Sequence, residues 1–183
     1  MSTAAADLIG EKLGRQFQAL DRNNDGYLEW EDCQLLIDRY HQAFGIDRDD
    51  PRGSSLQAFL HMYWQELLRH AGAKNQQLSQ EEFVQASRLA SVDSSRVNIV
   101  DGSAHAIFDC VDADGDNQIT KEEFAYYLKE VWQLTAPDTL ETFTVLDTDG
   151  DGVISRQEFV RATREHFFSA DSDAAGSLFF GRI

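Results

Sequence analysis

The sequence predicts an all-α protein made of four helix–loop–helix units in two packed pairs, with a short two-residue β ribbon between paired loops. Three observations carry this expectation. A twelve-residue acidic pattern recurs at 21–32, 112–123 and 147–158, and a fourth copy at 71–82 keeps the frame without the acids. Apolar residues flank every copy at helical spacing. Each copy also places one apolar residue at its eighth position (Leu28, Leu78, Ile119 and Ile154), where adjacent loops can pair.

The last copy is the most complete. Residues 147–158 read D-T-D-G-D-G-V-I-S-R-Q-E, with Asp147, Asp149 and Asp151 at positions 1, 3 and 5. Oxygens at alternate positions converge on one ion only if the chain wraps tightly, so position 6 must turn sharply. Gly152 does this without a Cβ penalty. Val153 offers its carbonyl and Glu158 closes the site as a bidentate carboxylate on the next helix. These spacings are those of the EF-hand calcium loop. An acidic turn that merely caps a helix would not need every position filled.

The other copies follow by frame. Residues 112–123 place Asp112, Asp114 and Asp116 at positions 1, 3 and 5 and Glu123 at position 12, with Asn117 replacing glycine at position 6. Asn is the next residue most tolerant of a left-handed backbone. Residues 21–32 offer Asp21, Asn23, Asp25 and Gly26, but end in Asp32, one methylene short of Glu. A shorter arm contracts the loop and favours Mg²⁺ or weakens Ca²⁺. The second copy has Ala71, Ala73 and Asn75 at the ligand positions and adds Lys74, so its fold survives without a metal site.

Helices are expected on both sides of each loop. Phe17 and Leu20, Leu67 and Leu68, Phe108 and Val111, and Phe143 and Leu146 mark the incoming helices. Leu35, Leu36 and Tyr40, then Phe83, Ala86 and Leu89, Phe124, Tyr127 and Leu128, and Phe159, Ala162 and Phe167 mark the outgoing ones. The seventh helix has a start signal in Thr135, Pro137 and Asp138. Eight main helices result. Loop starts at 112 and 147 are closely spaced, whereas those at 21 and 71 leave room for a polar, turn-rich insert over 44–55. A polar linker over 91–101 divides the chain into an N-terminal pair, 1–91, and a C-terminal pair, 92–183. After Phe168 an acidic link leads to the apolar ending L-F-F-G-R-I, which is expected to dock into the groove between the pairs.

Composition narrows the function classes. A hydrophobic fraction of 42%, with 12 Phe, supports a real core and argues against a disordered acidic chain. The net charge of −16 excludes nucleic acid and anionic membrane surfaces as natural partners and suits a cation binder. No signal peptide or membrane-length apolar run is read, and Cys33 and Cys110 are expected as reduced core thiols of a cytoplasmic, monomeric protein. No nucleophilic or phosphate-binding motif points to an enzyme.

Live first, third and fourth loops, a dead second loop, a lengthened first pair and an apolar tail together resemble the sarcoplasmic calcium-binding proteins and their bacterial, calerythrin-like relatives. The F-D-C-V-D-A-D-G-D run leading into the third loop and the F-F-G-R-I ending add to that resemblance. It implies a Ca²⁺ buffer or transporter, with ligands Asp21, Asn23, Asp25, Tyr27 (carbonyl) and Asp32; Asp112, Asp114, Asp116, Gln118 (carbonyl) and Glu123; and Asp147, Asp149, Asp151, Val153 (carbonyl) and Glu158. The alternative is a sensor that grips a target protein, though only Met1 and Met62 are available for an adaptable Met surface. The loop layout is also similar to coelenterazine-binding proteins and calcium-regulated photoproteins. For such a cavity His61, Tyr63, Trp64, Tyr126, Tyr127, Trp132 and His166 are candidates, against a plain core reading.

Overall fold

The computed structural model describes residues 7–93, 99–135 and 138–179. Among them run eight α-helices: α1 (Leu8–Leu20), α2 (Trp30–Phe44), α3 (Pro51–Ala71), α4 (Gln80–Val92), α5 (Ile99–Val111), α6 (Lys121–Glu130), α7 (Asp138–Leu146) and α8 (Arg156–Phe168). Strands β1 (Tyr27–Leu28) and β2 (Leu78–Ser79) pair antiparallel, as do β3 (Gln118–Thr120) and β4 (Val153–Ser155). Leu28 stands opposite Leu78 and Ile119 opposite Ile154, the partners that the repeat predicts. All four side chains are buried, so each ribbon rivets two loops onto the core.

The outgoing helices start alike because position 9 of each loop is an N-cap and position 12 its N3 residue. Ser79, Thr120 and Ser155 accept the backbone N–H of Glu82, Glu123 and Glu158, and each glutamate accepts the N–H of its cap. Glu29 and Asp32 form the same reciprocal box at α2. Two otherwise orphaned donors are thus satisfied at each helix start.

Several sequence expectations are corrected. Half of the polar insert over 44–55 is helix. Only Gly45 to Asp50 turns, because Asp50 caps the N–H of Arg52 and Pro51 occupies the first helical position. The extra chain therefore lengthens α3 to 21 residues. Likewise α4 continues through Val92, and Ile99 and Val100 of the expected linker are buried residues of α5. Leu35 and Leu89 are exposed. Leu36, Ile37 and Tyr40, and then Phe83, Ala86 and Ala90, form the buried faces instead. The start of α7 at Pro137 lies outside the described residues. The chain breaks its helix at Asp93, so no long central helix joins the pairs. No described helix is long and apolar enough to cross a membrane.

One hydrophobic cluster takes residues from every helix, including Leu13, Tyr40, Trp64, Phe83, Phe108, Phe124, Phe143 and Phe159. Burying one such aromatic contributes about 2–3 kcal/mol, so a core common to both pairs dominates the energetics. Polar ties cross it. Tyr40 donates to the Tyr127 hydroxyl at 3.3 Å, which also accepts from Trp132 Nε1 at 2.8 Å. Lys12, only 2% exposed, donates from α1 to the carbonyls of Glu165 and Ser169, each at 2.7 Å. It satisfies the end of α8, and burial, against the attraction of Glu165, pulls its pKa down to about 8.

The tail docks on that same end of α8. Residues Ala175–Leu178 form a 3₁₀ turn whose Gly176 N–H donates to Glu165, while Thr142 of α7 donates to the Leu178 carbonyl. A Cβ on Gly176 would lie 1.9 Å from the Ala162 carbonyl oxygen, so only glycine permits this approach. Phe179 reaches the central core, 5.9 Å from the Phe159 ring. The described part of the tail therefore packs on α7 and α8, with Phe179 half-buried against the core. Residues 180–183, the rest of the apolar ending expected in the groove between the pairs, lie outside the described set.

Beside it, His166 is buried, with Nε2 3.1 Å from Gln16 Oε1. Burial, reinforced by the Lys12 charge, holds its pKa down to about 3. The unfolded chain protonates this histidine near pH 6.5 while the folded one does not, so stability is lost as pH falls from 6.5 towards 3. Denaturant unfolding of the metal-free protein at pH 7 and pH 5 should show this loss, at up to about 1.4 kcal/mol per pH unit. His166→Gln should flatten the difference.

Candidate metal centres

In three loops the position-1 carboxylate accepts the backbone N–H of position 6. Gly26 donates to Asp21 at 3.0 Å, Asn117 to Asp112 at 2.9 Å and Gly152 to Asp147 at 2.9 Å. Position 3 accepts from the N–H of position 5 and position 5 from that of position 7. Asn23, Asp114 and Asp149 thus receive the N–H of Asp25, Asp116 and Asp151 at 3.1–3.2 Å. Asp25, Asp116 and Asp151 receive that of Tyr27, Gln118 and Val153 at 2.8–3.0 Å. Such bonds turn the side chains inward and fold the loop about a point.

The turn needs left-handed backbone twice, not once. Asn24, Gly115 and Gly150 at position 4 have φ of 56°, 75° and 70°, and Gly26, Asn117 and Gly152 at position 6 have 84°, 67° and 90°. The second requirement was readable, since all three position-4 residues are Asn or Gly, the types that tolerate this region.

The third loop brings carboxylate oxygens of Asp112, Asp114 and Glu123 within 4.8 Å of one another, and the fourth loop does the same with Asp147, Asp149 and Glu158. Asp116 and Asp151 stand outside these tightest sets, held by the N–H groups of Gln118 and Val153. Tyr27, Gln118 and Val153 are the first residues of β1, β3 and β4, where position 7 falls. No comparable trio forms from Asp21, Asp25 and Asp32 among the described residues. The shorter Asp32 has one oxygen engaged by the Glu29 N–H at 2.9 Å. Yet Asp21 Oδ1 is buried with no hydrogen-bond partner, an orphan that a bound cation would satisfy. In the second loop only Asn75 among the three ligand positions makes such a loop bond, to the N–H of Gln77.

Position 12 does double duty. Glu158 receives the N–H and hydroxyl of Thr148 on one oxygen and those of Ser155 on the other, at 2.7–2.9 Å. Thr148 was not among the sequence candidates, and position 2 carries no ligand signal that would have found it. Burial works to raise the Glu158 pKa, but these donors outweigh it and hold the carboxyl down at about 2. Asp112 shifts the other way: burial raises it and the charges of Asp116 and Glu123 add, against the N–H groups of Asn117 and Gly115. Asp32 is raised by burial and by Asp21, Asp25 and Glu29, despite the Glu29 N–H. Both sites therefore hold mutually repelling carboxylates that a divalent ion would relieve.

A further trio, Glu66, His70 and Asp93, already has its cation. The Arg69 guanidinium donates to both carboxylates and sits 3.1 Å from His70 Nε2. The cysteines are inert: burial pushes Cys33 and Cys110 each up to about 12.

A family model for an EF-hand domain pair matches residues 11–129, and one for a single EF-hand domain matches 138–166. The chain belongs to the EF-hand family of calcium-binding proteins. It is related to sarcoplasmic calcium-binding proteins I, III and IV of Branchiostoma lanceolatum, being 30% identical over 134 residues that cover 69% of this chain and 71% of the relative. In fold it is similar to a Streptomyces coelicolor calcium-binding protein described as acting in calcium-mediated regulation, with 24% identity, 89% and 99% coverage of the two chains and a TM-score of 0.71. It is also similar to the coelenterazine-binding protein of Renilla muelleri, with 21% identity, full coverage of both chains and a TM-score of 0.65.

Glu158→Gln keeps the size of position 12 but removes its charge and its bidentate grip. Calorimetric titration of this variant should show one fewer tightly bound Ca²⁺ than the unaltered protein.

Proposed function

We propose that the chain is a non-enzymatic calcium buffer, monomeric and cytoplasmic, that binds three Ca²⁺ through the first, third and fourth loops. The ligands are Asp21, Asn23, Asp25, Tyr27 and Asp32, then Asp112, Asp114, Asp116, Gln118 and Glu123, then Asp147, Asp149, Asp151, Val153 and Glu158, with position 7 acting through its carbonyl. Mg²⁺ competes most strongly at the first loop, where Asp32 is short. The division at 91/92 belongs to this reading, supported by β1 pairing with β2 and β3 with β4.

The observation that carries the buffer reading is the single core shared by all eight helices, with the chain's own Phe179 packed against it. A sensor must uncover an apolar groove when calcium arrives. Here the space between helices is largely filled by residues of the same chain. Three divalent ions would offset six of the sixteen excess negative charges, and the relief of that repulsion couples metal binding to folding.

One feature favours a second reading, a carrier of a small apolar ligand. An apolar cavity of about 120 Å³ lies among Tyr63, Trp64, Trp132, His166, Phe167 and Phe179. Of the aromatic candidates, His61 instead packs edge-on against Trp30, and Tyr126 is exposed and donates to the Ala43 carbonyl. A cavity of this size suits a molecule near that of benzene, so a larger occupant requires the tail to move.

Calcium titrated into the metal-free protein over a Mg²⁺ background, with an apolar-surface dye as reporter, tests the two main classes. Flat or falling dye fluorescence is expected of a buffer. A steep calcium-dependent rise would replace it with the sensor reading.

A further inference from the structure

The third loop departs from its fellows at Asn117, and its neighbour in the fourth unit meets that departure. Position 6 is glycine in the first and fourth loops, but Asn117 takes the same left-handed backbone, at φ 67°, with a Cβ attached. Its N–H is the donor that holds Asp112. The third loop therefore relies on a turn that its own residue only tolerates.

Arg156 grips that turn from the other loop. Its Nε donates to Asn117 Oδ1 at 2.8 Å. Its Nη2 lies 2.7 Å from Asp109 Oδ1 on α5, and its guanidinium carbon stands 4.2 Å from the centre of the Phe108 ring. One rigid fork thus holds both the turn of the third loop and the helix that leads into it. The ribbon brings it there: Gln118 faces Ser155, so Asn117 and Arg156 are the next residues outward. Arg156 is also the first residue of α8, two before Glu158.

We propose that Arg156 is a positioning residue that makes the third loop's turn depend on the fourth loop, so that calcium binding at one favours binding at the other. The link runs one way in structure. The mirror position facing Lys121 across the ribbon is Gly152, which has no side chain to hold. Movement of Glu158 onto an ion shifts the first turn of α8, carries Arg156 with it and resets Asn117, hence Asp112. The inference rests on the proposed calcium sites of the third and fourth loops.

Calcium titrations of the full chain, its Arg156→Gln, Arg156→Lys and Asn117→Gly variants and the Asn117→Gly/Arg156→Gln double variant test it. The expected result is a Hill coefficient above unity that falls towards unity in Arg156→Gln, with affinity weakened roughly tenfold, as for groups that orient a ligand. Arg156→Lys should fall likewise, because an ammonium keeps the charge but cannot span Asp109 and Asn117 together. With Asn117→Gly the turn no longer needs the grip, so adding Arg156→Gln should change little. Tighter binding in Arg156→Gln, with unaltered cooperativity, would reduce Arg156 to a charge that screens the acids and overturn the proposal alone. An equal effect of Arg156→Gln with and without Asn117→Gly would also overturn it. Absence of calcium binding by the third and fourth loops of the unaltered chain would remove the buffer reading and this inference together.

Discussion

A side-chain carboxylate that accepts a backbone N–H five residues further on is the bond that the three acidic loops share. In the first, third and fourth loops it is an Asp at position 1 bound to the N–H of position 6, at 2.9–3.0 Å. In these loops the bond goes with left-handed backbone at positions 4 and 6 and with position-3 and position-5 oxygens that accept loop N–H groups. The outgoing helix starts from its own cap at position 9 in all four units. The second loop shows what survives without the bond. Ala71 has no carboxylate for the N–H of Gln76, yet Gln76 keeps a φ of 57°, and the unit keeps its capping box, the Leu28–Leu78 pair and its buried Leu67 and Phe83. The fold of a unit and its acidic ligand set are thus separable, since Ala71 and Ala73 remove two of the side-chain oxygens and leave the helix–loop–helix in place.

The same carboxylates make the metal-free loops uneasy. Glu123 and Glu158 satisfy helix N–H groups while also standing in the acidic clusters. Burial and like charge push Asp112 and Asp32 up, while four donors hold Glu158 down. Charge repulsion at short range favours any divalent cation, and the geometry of position 12 sorts among them. A Glu arm is long enough to reach an ion in bidentate fashion, and the Asp32 arm is one methylene shorter, which is the basis of the Mg²⁺ competition proposed for the first loop. Asp21 Oδ1, buried without a partner, is a further unmet demand in the first loop.

Much of this was legible because EF-hand chemistry is local. Loop positions, ribbon partners and the sequence of eight helices follow from residues within a dozen places of one another. What escaped was tertiary. Asp50–Pro51 is a helix start, but beside Gly45, Gly53 and two serines it reads as a loop. Leu35 and Leu89 fit an apolar stripe as well as Ile37 and Ala90 do, and only packing chose between them. Lys12 would be placed on the surface by any composition rule, yet its ammonium ends α8 from within the core. His166 and Gly176 gain meaning only from the turn that lies against them. Two distant stretches must meet before these residues have a role, and no spacing within either stretch announces the meeting.

The buried Lys12 ties distant stretches of the chain together. Its ammonium joins α1, which leads to Asp21, to α8, which begins just before Glu158, and its reach of 3.3 Å to Ser177 adds the tail. The first and fourth loops share no ribbon, since each pairs with another loop. Any rotation of α8 must nevertheless either carry α1 along or strip a buried cation of two carbonyl partners. Leaving a charge buried and unpaired costs several kcal/mol, far more than a small helix adjustment. The Lys12 bonds therefore penalise rotation of α8 against α1. Gly176 lies so close to the Ala162 carbonyl that a Cβ would not fit, which adds a backbone contact between the tail and α8. A core stapled in this way is the physical support for the proposed buffer role.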